Sequence, residues 1–374
     1  MLKRIINKIR RYYVSKHDIN TYVCKTGDNN KWVFISYIPE AIYYSFDDFY
    51  LNAHQSRREM CEIIHIFTKL GYNVYCSNFN NKKVPNIKFS VVFGIEPCFI
   101  TACQLNPNAI KIYYATGAYS AHQNFMIKKR TDGFNEKTQS DYPYQRLVPD
   151  NVFLYMVDYI LQIGSHFTIE TYPTKYQSLI TTIHQSSTIN NRFRINDKNI
   201  DSIVDILWIG GSGEILKGLD LVFDSLGNTK YVLHVVGSVS DKFKSYYKKC
   251  RNIRYYGFID VNSDIFVNIC KKCKFLLYPS CTEGGCPGAV INSMYMGVIP
   301  IVSKWAAFDE IDDYGYVLDD LTVEAINKAM TWVESLSKDQ ILDLSKRCFD
   351  FSRKMYNLDN FKREFELFLY NILQ

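Results

Sequence analysis

Short apolar runs typical of buried strands alternate with helical or turn-rich segments along nearly the whole chain. The first series includes KWVFISYI at 31–38, KFSVVFGI at 88–95 and AIKIYYATG at 109–117. A second series begins with IVDILWIGG at 203–211 and ends with IPIVSK at 299–304. Parallel strands need long crossovers, and helices then cover both faces of the sheet. Each series therefore predicts a doubly wound α/β sheet.

The length of 374 residues supports two domains. The polar stretch TINNRFRINDKN at 188–199 separates the two series and is the predicted linker. We expect an amino-terminal Rossmann-like domain at 19–190, a carboxyl-terminal domain at 200–355 and a last helix at 356–374. Two open sheets joined in this way bind ligands in the cleft where the carboxyl ends of their strands face each other.

The first 16 residues, MLKRIINKIRRYYVSK, place basic residues and aliphatic residues on opposite sides of a helical pattern. A basic amphipathic helix over 1–18 predicts attachment to an anionic membrane surface. The segment lacks the continuous apolar core of a secretory signal, and no later stretch is long and apolar enough to span a bilayer. We therefore expect a cytoplasmic protein that is peripheral at the inner face of a membrane.

Charge and cysteine content exclude several classes of protein. A net charge of +6 is too small for a dedicated nucleic-acid binder and is compatible with anionic small substrates. Eleven cysteines, an odd number, indicate reduced thiols rather than a disulfide framework. Cys270 and Cys273 form a CxxC pair without a second pair, which favours buried helical thiols over zinc. No Asp-x-Asp follows a predicted strand, which favours a reaction without metal.

A glycine-rich loop follows the strand KFLLYPS in the segment TEGGCPGAVINSMYMG, residues 282–297. Its glycines allow backbone amides to approach a ligand, and a helix that begins near Pro287 directs its positive end to the same place. This arrangement favours a phosphate. The carboxylate of Glu283 would repel phosphate, so we expect it to accept hydrogen bonds from hydroxyls. A ligand with both groups is a sugar nucleotide; the alternative is a tight turn with a solvated glutamate.

A second glycine loop, WIGGSGEILKGLDLV, occupies residues 208–222 and places Lys217 at the start of a helix. It is not a P-loop because it lacks a Gly-Lys-Ser/Thr triplet, and it is not a dinucleotide fingerprint because Leu216 occupies the third glycine position. The remaining interpretation is a loop with a cation that neutralises a diphosphate without metal. The alternative is an ordinary strand-to-helix turn with a surface lysine.

Together, the two glycine segments resemble the carboxyl-terminal domain of the retaining glycosyltransferases of family four, which have the GT-B fold. The matching motifs, in chain order, are Lys217-Gly218, Tyr278-Pro279-Ser280, Glu283-Gly284 and Gly297-Val298-Ile299-Pro300. The resemblance implies two Rossmann-like doubly wound domains that face a central cleft. It also implies that the terminal helix, within MYNLDNFKREFELFLYNIL, crosses back to the first domain.

The same resemblance implies a function. The enzyme would move a sugar from a nucleotide-diphosphate sugar to a hydroxyl of a glycan or lipid-linked acceptor, with retention of configuration and without a metal or another cofactor. Surface polysaccharide biosynthesis would be its setting.

The resemblance also assigns roles to residues. Lys217 grips the donor diphosphate, Glu283 contacts the donor sugar, and the main chain of 284–289 holds sugar and phosphates. His122, just past a strand end in IYYATGAYSAHQNF, lies beside the transferring sugar; a structural histidine is the alternative. The expected catalytic residues are Glu283, Lys217 and His122, and the expected substrate-binding residues are Gly211, Ser212, Gly284, Gly285, Cys286, Pro287, Gly288, Ala289 and Asn292. Polar residues that could form a rim around the cleft are Asn52, His54, Gln55, Arg57 and Arg58.

Two departures from the family pattern motivate a second hypothesis. The family's second glutamate falls at Ile291 or, with one inserted residue, at Asn292. The family's arginine in the first glycine turn is replaced by small residues around Ser212, which removes one diphosphate contact. The second hypothesis is therefore a catalytically weak nucleotide-sugar binding protein on the same scaffold. A third, an epimerase, would require catalytic carboxylates and a histidine in the cleft.

Overall fold

The computed structural model describes most of the chain. The described residues are 20–26, 30–44, 49–188, 193–198 and 204–373. The basic helix predicted over 1–18 lies outside them, as do residues 189–192 and 199 of the predicted linker. None of the helices in the described ranges has the length and apolar character that crossing a membrane requires.

The strands of the described residues form two sheets. The strands of the first sheet are β1 (Thr21–Cys24), β2 (Trp32–Tyr37), β3 (Asn73–Asn78), β4 (Val91–Gly94), β5 (Ile110–Ala115), β6 (Tyr159–Ile163) and β7 (Ile180–Ile183). The strands of the second sheet are β8 (Asp205–Ile209), β9 (Val232–Val236), β10 (Ile253–Gly257), β11 (Phe275–Tyr278), β12 (Ile299–Ser303) and β13 (Tyr316–Leu318).

Helices of varied length connect these strands and end the chain. They are α1 (Phe49–Asn52), α2 (Gln55–Lys69), α3 (Cys98–Leu105), α4 (Ser120–Thr138), α5 (His166–Ile169), α6 (Thr174–Gln177), α7 (Leu219–Leu226), α8 (Asp241–Tyr246), α9 (Asp264–Lys272), α10 (Gly288–Met294), α11 (Val323–Ser335), α12 (Lys338–Met355) and α13 (Leu358–Leu373).

Both sheets are doubly wound, as the alternation of strands and helices predicts. Their orders are β1-β3-β2-β4-β5-β6-β7 and β10-β9-β8-β11-β12-β13. Neighbouring strands are parallel except for β1, which pairs with β3 in the antiparallel direction. The order reverses between β2 and β4 in the first sheet and between β8 and β11 in the second. Such a reversal opens a crevice at the carboxyl ends of the strands.

The central strands are buried on both faces, which explains their uninterrupted apolar sequences. β11 and β12 pair from Phe275 opposite Ile299 to Tyr278 opposite Val302, and all of their side chains are buried. A strand that helices cover on both sides has no solvated face. The strands that the sequence analysis did not predict are β1, β7 and β13, and all three lie at sheet edges. Edge strands are short and partly exposed, so their apolar patterns are weaker.

The last helix, α13, returns to the first domain and confirms that prediction. Phe361, Phe365 and Leu369 are buried in the first domain's core. The ring of Phe365 meets the ring of Phe93, in β4, edge-on at 5.5 Å. The apolar face of α13 therefore completes the covering of the first sheet.

A second helix, α4, extends from the first domain onto the second. Phe134 belongs to the second domain's core and stacks on Phe243 of α8 with ring centroids 5.8 Å apart. Arg130 forms an ion pair with Asp220 of α7 at 2.6 Å, and both side chains are largely buried. This contact was not predicted, because few apolar residues on α4 mark the face that carries it. The two domains thus exchange helical contacts in both directions.

The Arg130–Asp220 pair provides a test of this packing. Arg130→Ala should lower the free energy of unfolding by about 2 kcal/mol, because it leaves a buried carboxylate without its counter-ion. Burial already raises the pKa of Asp220, and Arg130 opposes that rise. Urea unfolding followed by tryptophan fluorescence measures the change. Lys129→Ala removes an exposed cation next to it on α4 and is the matched control. If both variants were as stable as the wild type, the pair would contribute nothing to folding.

Candidate functional site

A cavity of about 570 Å³ lies between the two domains. The first domain lines it with residues at or beyond the carboxyl ends of β2, β5 and β6 and with the start of α2. The second domain lines it with residues at or beyond the carboxyl ends of β8, β9, β10 and β11. The cavity therefore occupies the place where two doubly wound sheets present their reversal points to each other.

Lys217 reaches this cavity because the turn before α7 packs against the loop after β11. The Cys281 amide donates to the Leu216 carbonyl at 2.8 Å. Gly218 has a φ of +69°, and a β-carbon there would lie 2.2 Å from the Pro279 carbonyl oxygen, so this close approach requires glycine. The Lys217 side chain is 8% exposed. The two glycine segments, separated by some 60 residues, are thereby brought into direct contact.

Glu283 and Lys217 form an ion pair at the cavity wall. The Lys217 ammonium donates to the Tyr278 hydroxyl at 2.6 Å and to Glu283 Oε1 at 3.1 Å. The same oxygen accepts from the Tyr278 hydroxyl at 3.0 Å and from Ser280 Oγ at 3.2 Å. Burial would raise the pKa of Glu283, but Lys217, Arg146 and these hydrogen bonds outweigh it and hold this pKa below its usual range. Glu283 is therefore ionised at neutral pH.

This pairing refines the expectation that Glu283 serves ligand hydroxyls. Three protein donors already reach Oε1. Among the described residues no donor reaches Oε2, which leaves this oxygen available to a ligand in the cavity. Because Glu283 neutralises it, Lys217 adds no net positive charge to the cavity.

The glycines of the 283–289 loop pack against the first domain. A β-carbon on Gly284 would lie 2.7 Å from the Ile163 carbonyl oxygen, and one on Gly285 would lie 2.7 Å from Gly164 Cα. The Thr168 hydroxyl donates to the Gly284 carbonyl at 2.5 Å. In the sequence, these glycines predicted the close approach of a ligand to the backbone. The structure adds a different reason, which is the approach of one domain's backbone to the other's.

The remaining residues of the 283–289 loop lie partly at the cavity wall and partly in the second domain's core. Pro287, Gly288 and Ala289 line the cavity, and α10 begins directly after Pro287, as expected. Cys286 does not line it: its thiol is fully buried and lies near Met294. The Cys286 carbonyl accepts a hydrogen bond from Gln185 Nε2 at 2.6 Å. The Cys286 side chain therefore lies in the core, and the expected contact of its main chain with the substrate stays a prediction.

Asn292 and Ile291 were the two candidates for the position of the family's second glutamate. Ile291 is fully buried in the second domain's core, whereas Asn292 lines the cavity. The Asn292 side-chain amide is already hydrogen-bonded to the segment that follows β7. Its oxygen accepts from Ser187 Oγ at 2.9 Å and from the Thr188 amide at 3.3 Å, and its nitrogen donates to Thr188 Oγ1 at 3.3 Å. Asn292 thus ties the two domains together at the edge of the cavity.

His122 and Ser212 are not part of the cavity wall, although both were expected there. His122 packs on Trp305 with ring centroids 4.5 Å apart. Burial and the neighbouring Lys304 lower the pKa of His122, so the imidazole is neutral at pH 7. Ser212 is exposed, and of its neighbours Gly211 lines the cavity. The orientation of α4 at its first turn directs His122 to the second domain's surface instead.

The cavity residues that were not predicted from the sequence include Arg146, Glu59 and Phe258. Arg146 lies in an irregular loop without a motif. Glu59 lies within α2, where burial raises its pKa to about 7, and its carboxylate accepts from the Ser186 amide at 2.6 Å. Phe258 directly follows β10 and is 81% exposed. In the sequence, the position of Phe258 directly after a predicted strand was the one feature that could have identified it as a cavity residue.

Among the polar residues expected at the rim, Asn52, His54 and Gln55 line the cavity. Arg57 instead lies over the Tyr50 ring at 3.9 Å. These residues form the first domain's side of the opening.

The structure also locates the CxxC cysteines and the metal-ligating residue types. Cys270 and Cys273 are fully buried free thiols in the second domain's core, as favoured above. In the part of the chain that the structure describes, no cluster of three or more His, Cys, Asp or Glu side chains could hold a metal ion.

Known proteins resemble this chain both in sequence and in fold. The family model described as glycosyl transferases group 1 matches residues 204–335, the segment that contains both glycine loops. A structure of HepE from Anabaena in complex with UDP-glucose is 10% identical and has a TM-score of 0.54, covering 91% of this chain and 100% of that one. The chain has the GT-B fold.

Two further GT-B structures agree with this assignment. A glycosyltransferase from Rickettsia africae is 12% identical with a TM-score of 0.54, covering 92% of this chain and 100% of that one. WaaG, described as a glycosyltransferase involved in lipopolysaccharide biosynthesis, is 12% identical with a TM-score of 0.53, covering 90% and 98%. A search of curated protein sequences finds no match.

Proposed function

We propose that this protein is a glycosyltransferase that moves a sugar from a nucleotide-diphosphate sugar to a hydroxyl of a glycan or lipid-linked acceptor. The observation that carries the proposal is the convergence of Lys217, Glu283 and the loop up to Ala289 on one cavity between two Rossmann-like domains. The family match covers the same segment, and HepE, which shares the fold, holds UDP-glucose.

The cavity wall suggests how a donor would lie. The diphosphate would lie by Lys217 and the amides at the start of α10, where anions are favoured. The free Oε2 of Glu283 would accept a hydrogen bond from a sugar hydroxyl. The exposed ring of Phe258 provides a surface on which a nucleobase could stack, because aromatic stacking does not depend on base identity.

We propose a retaining reaction in which charge stabilisation supplies most of the rate. As the bond from sugar carbon to phosphate breaks, negative charge develops on the diphosphate, and Lys217 with the loop amides stabilises it. The acceptor hydroxyl attacks from the same face and gives its proton to the departing phosphate. Glu283, which is held by three protein donors on Oε1, is proposed to bind a sugar hydroxyl through Oε2 and to stabilise the positive charge that develops on the sugar carbon. No side-chain nucleophile is required. Since Lys217 and the loop amides serve the phosphates, the reaction is proposed to be independent of metal.

The runner-up, a weakly catalytic nucleotide-sugar binding protein, is favoured by one observation. The position expected to carry a second glutamate holds Asn292, whose amide is engaged with Ser187 and Thr188. That arrangement leaves little capacity for a ribose hydroxyl.

A donor panel distinguishes the two functions. Purified protein is incubated with UDP-, GDP- and ADP-sugars with and without glycan acceptors, and nucleotide release is measured. The glycosyltransferase proposal expects release of one nucleotide that rises with an acceptor. Tight binding of a donor without turnover on any acceptor would favour the binding protein. Anomeric configuration of the product, read by NMR, tests retention: an inverted product contradicts it.

The membrane location remains a prediction from residues 1–16, which lie outside the described residues. Surface polysaccharide biosynthesis is proposed as the setting, with WaaG as a structural relative involved in lipopolysaccharide biosynthesis. Liposomes with anionic lipids should bind the full chain and release a chain that lacks residues 1–16. Equal binding by both chains would contradict the prediction.

A further inference from the structure

The cavity needs more positive charge than Lys217 supplies. Both phosphoryl groups of a nucleotide-diphosphate sugar are anionic, whereas Lys217 is neutralised by Glu283. The other lining carboxylates are Glu59 and Asp260. His54 also lines the cavity, but burial lowers its pKa, so it is neutral at pH 7. A diphosphate bound beside the Lys217–Glu283 pair would lack a compensating charge without another cation.

We propose that Arg146, from the loop that follows α4 in the first domain, is the second cation that binds the donor diphosphate. This inference rests on the proposed function and assigns a donor contact to the opposite domain. Arg146 lines the cavity together with Lys217. Among the described residues its guanidinium forms no ion pair with a carboxylate, which leaves its charge available to a ligand.

The Arg146 side chain extends onto the first glycine loop. A β-carbon on Gly213 would lie 3.2 Å from Arg146 Cδ, so the arginine stem crosses from the first domain to the second at this point. The Arg146 charge acts on the carboxylate at the cavity wall, because it lowers the pKa of Glu283, with a smaller effect than that of Lys217. Arg146 therefore lies beside the first glycine loop. A guanidinium at this place would present several donors to phosphate oxygens.

Anchors on both sides hold the loop that carries Arg146. On one side, Asn124 of α4 exchanges two hydrogen bonds with the backbone of Val148, at 2.8 and 2.9 Å. On the other, the Tyr142 hydroxyl donates to Glu214 of the second domain at 3.0 Å. The Gln123 side chain donates to the Arg146 carbonyl itself at 3.1 Å. The loop that carries Arg146 is thus tied to both domains without help from the Arg146 guanidinium.

The backbone conformation of Arg146 is a separate observation. Its φ is +62°, in the left-handed region that residues other than glycine rarely adopt. Strained residues of this kind cluster at binding sites, where the surrounding structure holds them in place. The strain gives a sharp test, because glycine at this position keeps the backbone and removes the side chain.

The test compares Arg146→Gly and Arg146→Lys with the wild type by calorimetric titration. The probes are inorganic pyrophosphate, UDP, GDP and ADP, and the corresponding nucleosides. Arg146→Gly should keep or raise Tm, since glycine suits the left-handed conformation. It should weaken pyrophosphate and the preferred nucleoside diphosphate by about 10-fold or more, and Arg146→Lys should weaken them less. The salt dependence of diphosphate binding should also become shallower. Nucleoside affinity should stay unchanged, which a merely structural role would not produce.

Arg251→Ala is the matched control, because it removes an exposed arginine that does not line the cavity. It should bind every probe as the wild type does. Wild-type affinity for pyrophosphate and diphosphates in Arg146→Gly would overturn the role of Arg146 and leave the proposed function intact. If the wild type bound none of the diphosphates, the proposed function would fail, and this inference would fail with it.

Discussion

Lys217→Ala should reduce kcat/KM for the preferred sugar nucleotide by roughly 10²- to 10³-fold, the cost of losing a preorganised charge at a leaving group. The reason is geometric. The Lys217 ammonium lies at the cavity wall, held by the Tyr278 hydroxyl at 2.6 Å and by Glu283 at 3.1 Å. A cation fixed in this way needs no reorganisation when charge develops on the diphosphate. Steady-state kinetics with a nucleotide-release assay measures the effect.

The variant also removes the counter-ion of Glu283, so folding must be checked separately. Lys217→Met keeps the apolar stem and fills the same space, and its Tm shows whether the loss is structural. Lys248→Ala, which removes an exposed lysine outside the cavity, is the charge control and should keep wild-type kinetics. Wild-type kcat/KM in a folded Lys217→Met protein would remove Lys217 from the mechanism.

Glu283→Gln should lower kcat by roughly 10²-fold while the protein stays folded. The amide is isosteric with the carboxylate and can still accept from Tyr278 and Ser280 through its oxygen. It cannot accept with its nitrogen, so either the sugar hydroxyl loses its acceptor or Lys217 does. The expected signature is a fall in kcat that exceeds the change in donor Kd, because the charge is needed most as the sugar carbon becomes electron-poor. Comparison of single-turnover rates with donor titrations separates the two quantities.

A pH series adds an independent check on Glu283. The pKa of Glu283 lies below its usual range, so the carboxylate should stay ionised throughout the range in which the protein is active. Activity of the wild type should therefore show no acid limb from this group above its usual pKa.

The control for Glu283→Gln is Glu310→Gln, which changes a glutamate outside the cavity lining in the same way. If Glu283→Gln turned over at the wild-type rate, the carboxylate would have no part in catalysis.

The position of the two glycine segments was predicted from the sequence, but one reason for their glycines became visible only in the structure. The order Lys-Gly, Pro-Ser and Glu-Gly predicted a GT-B fold through its resemblance to the glycosyltransferases of family four. The residues themselves predicted only that the glycine loops, which follow strands, lie at the cleft. The loop at 283–289 does lie at the cavity. Its glycines, however, are also required by contacts with Ile163 and Gly164 of the other domain. No local pattern reveals a contact between backbones that are more than a hundred residues apart.

His122 illustrates the opposite case. Its place after a strand end suggested a cavity residue, but the direction of a side chain in the first turn of a helix depends on how that helix is packed. α4 leans onto the second domain through Phe134 and the Arg130–Asp220 pair. This packing places His122 against Trp305. The sequence placed His122 near the carboxyl end of a strand, but it did not show how α4 is rotated about its axis.

The sequence by itself determined the two doubly wound sheets and the loops that meet at the cavity, because burial on both faces and glycine at strand ends leave local signals. The return of the last helix was predicted only through the resemblance to a known family. Only the tertiary structure decided the partners of those loops: the Lys217–Glu283 pair, the engagement of Asn292, and the approach of Arg146 to Gly213. Charges and close contacts between distant segments depend on how two domains are docked. Docking depends on the fit of whole surfaces, which no short stretch of sequence encodes.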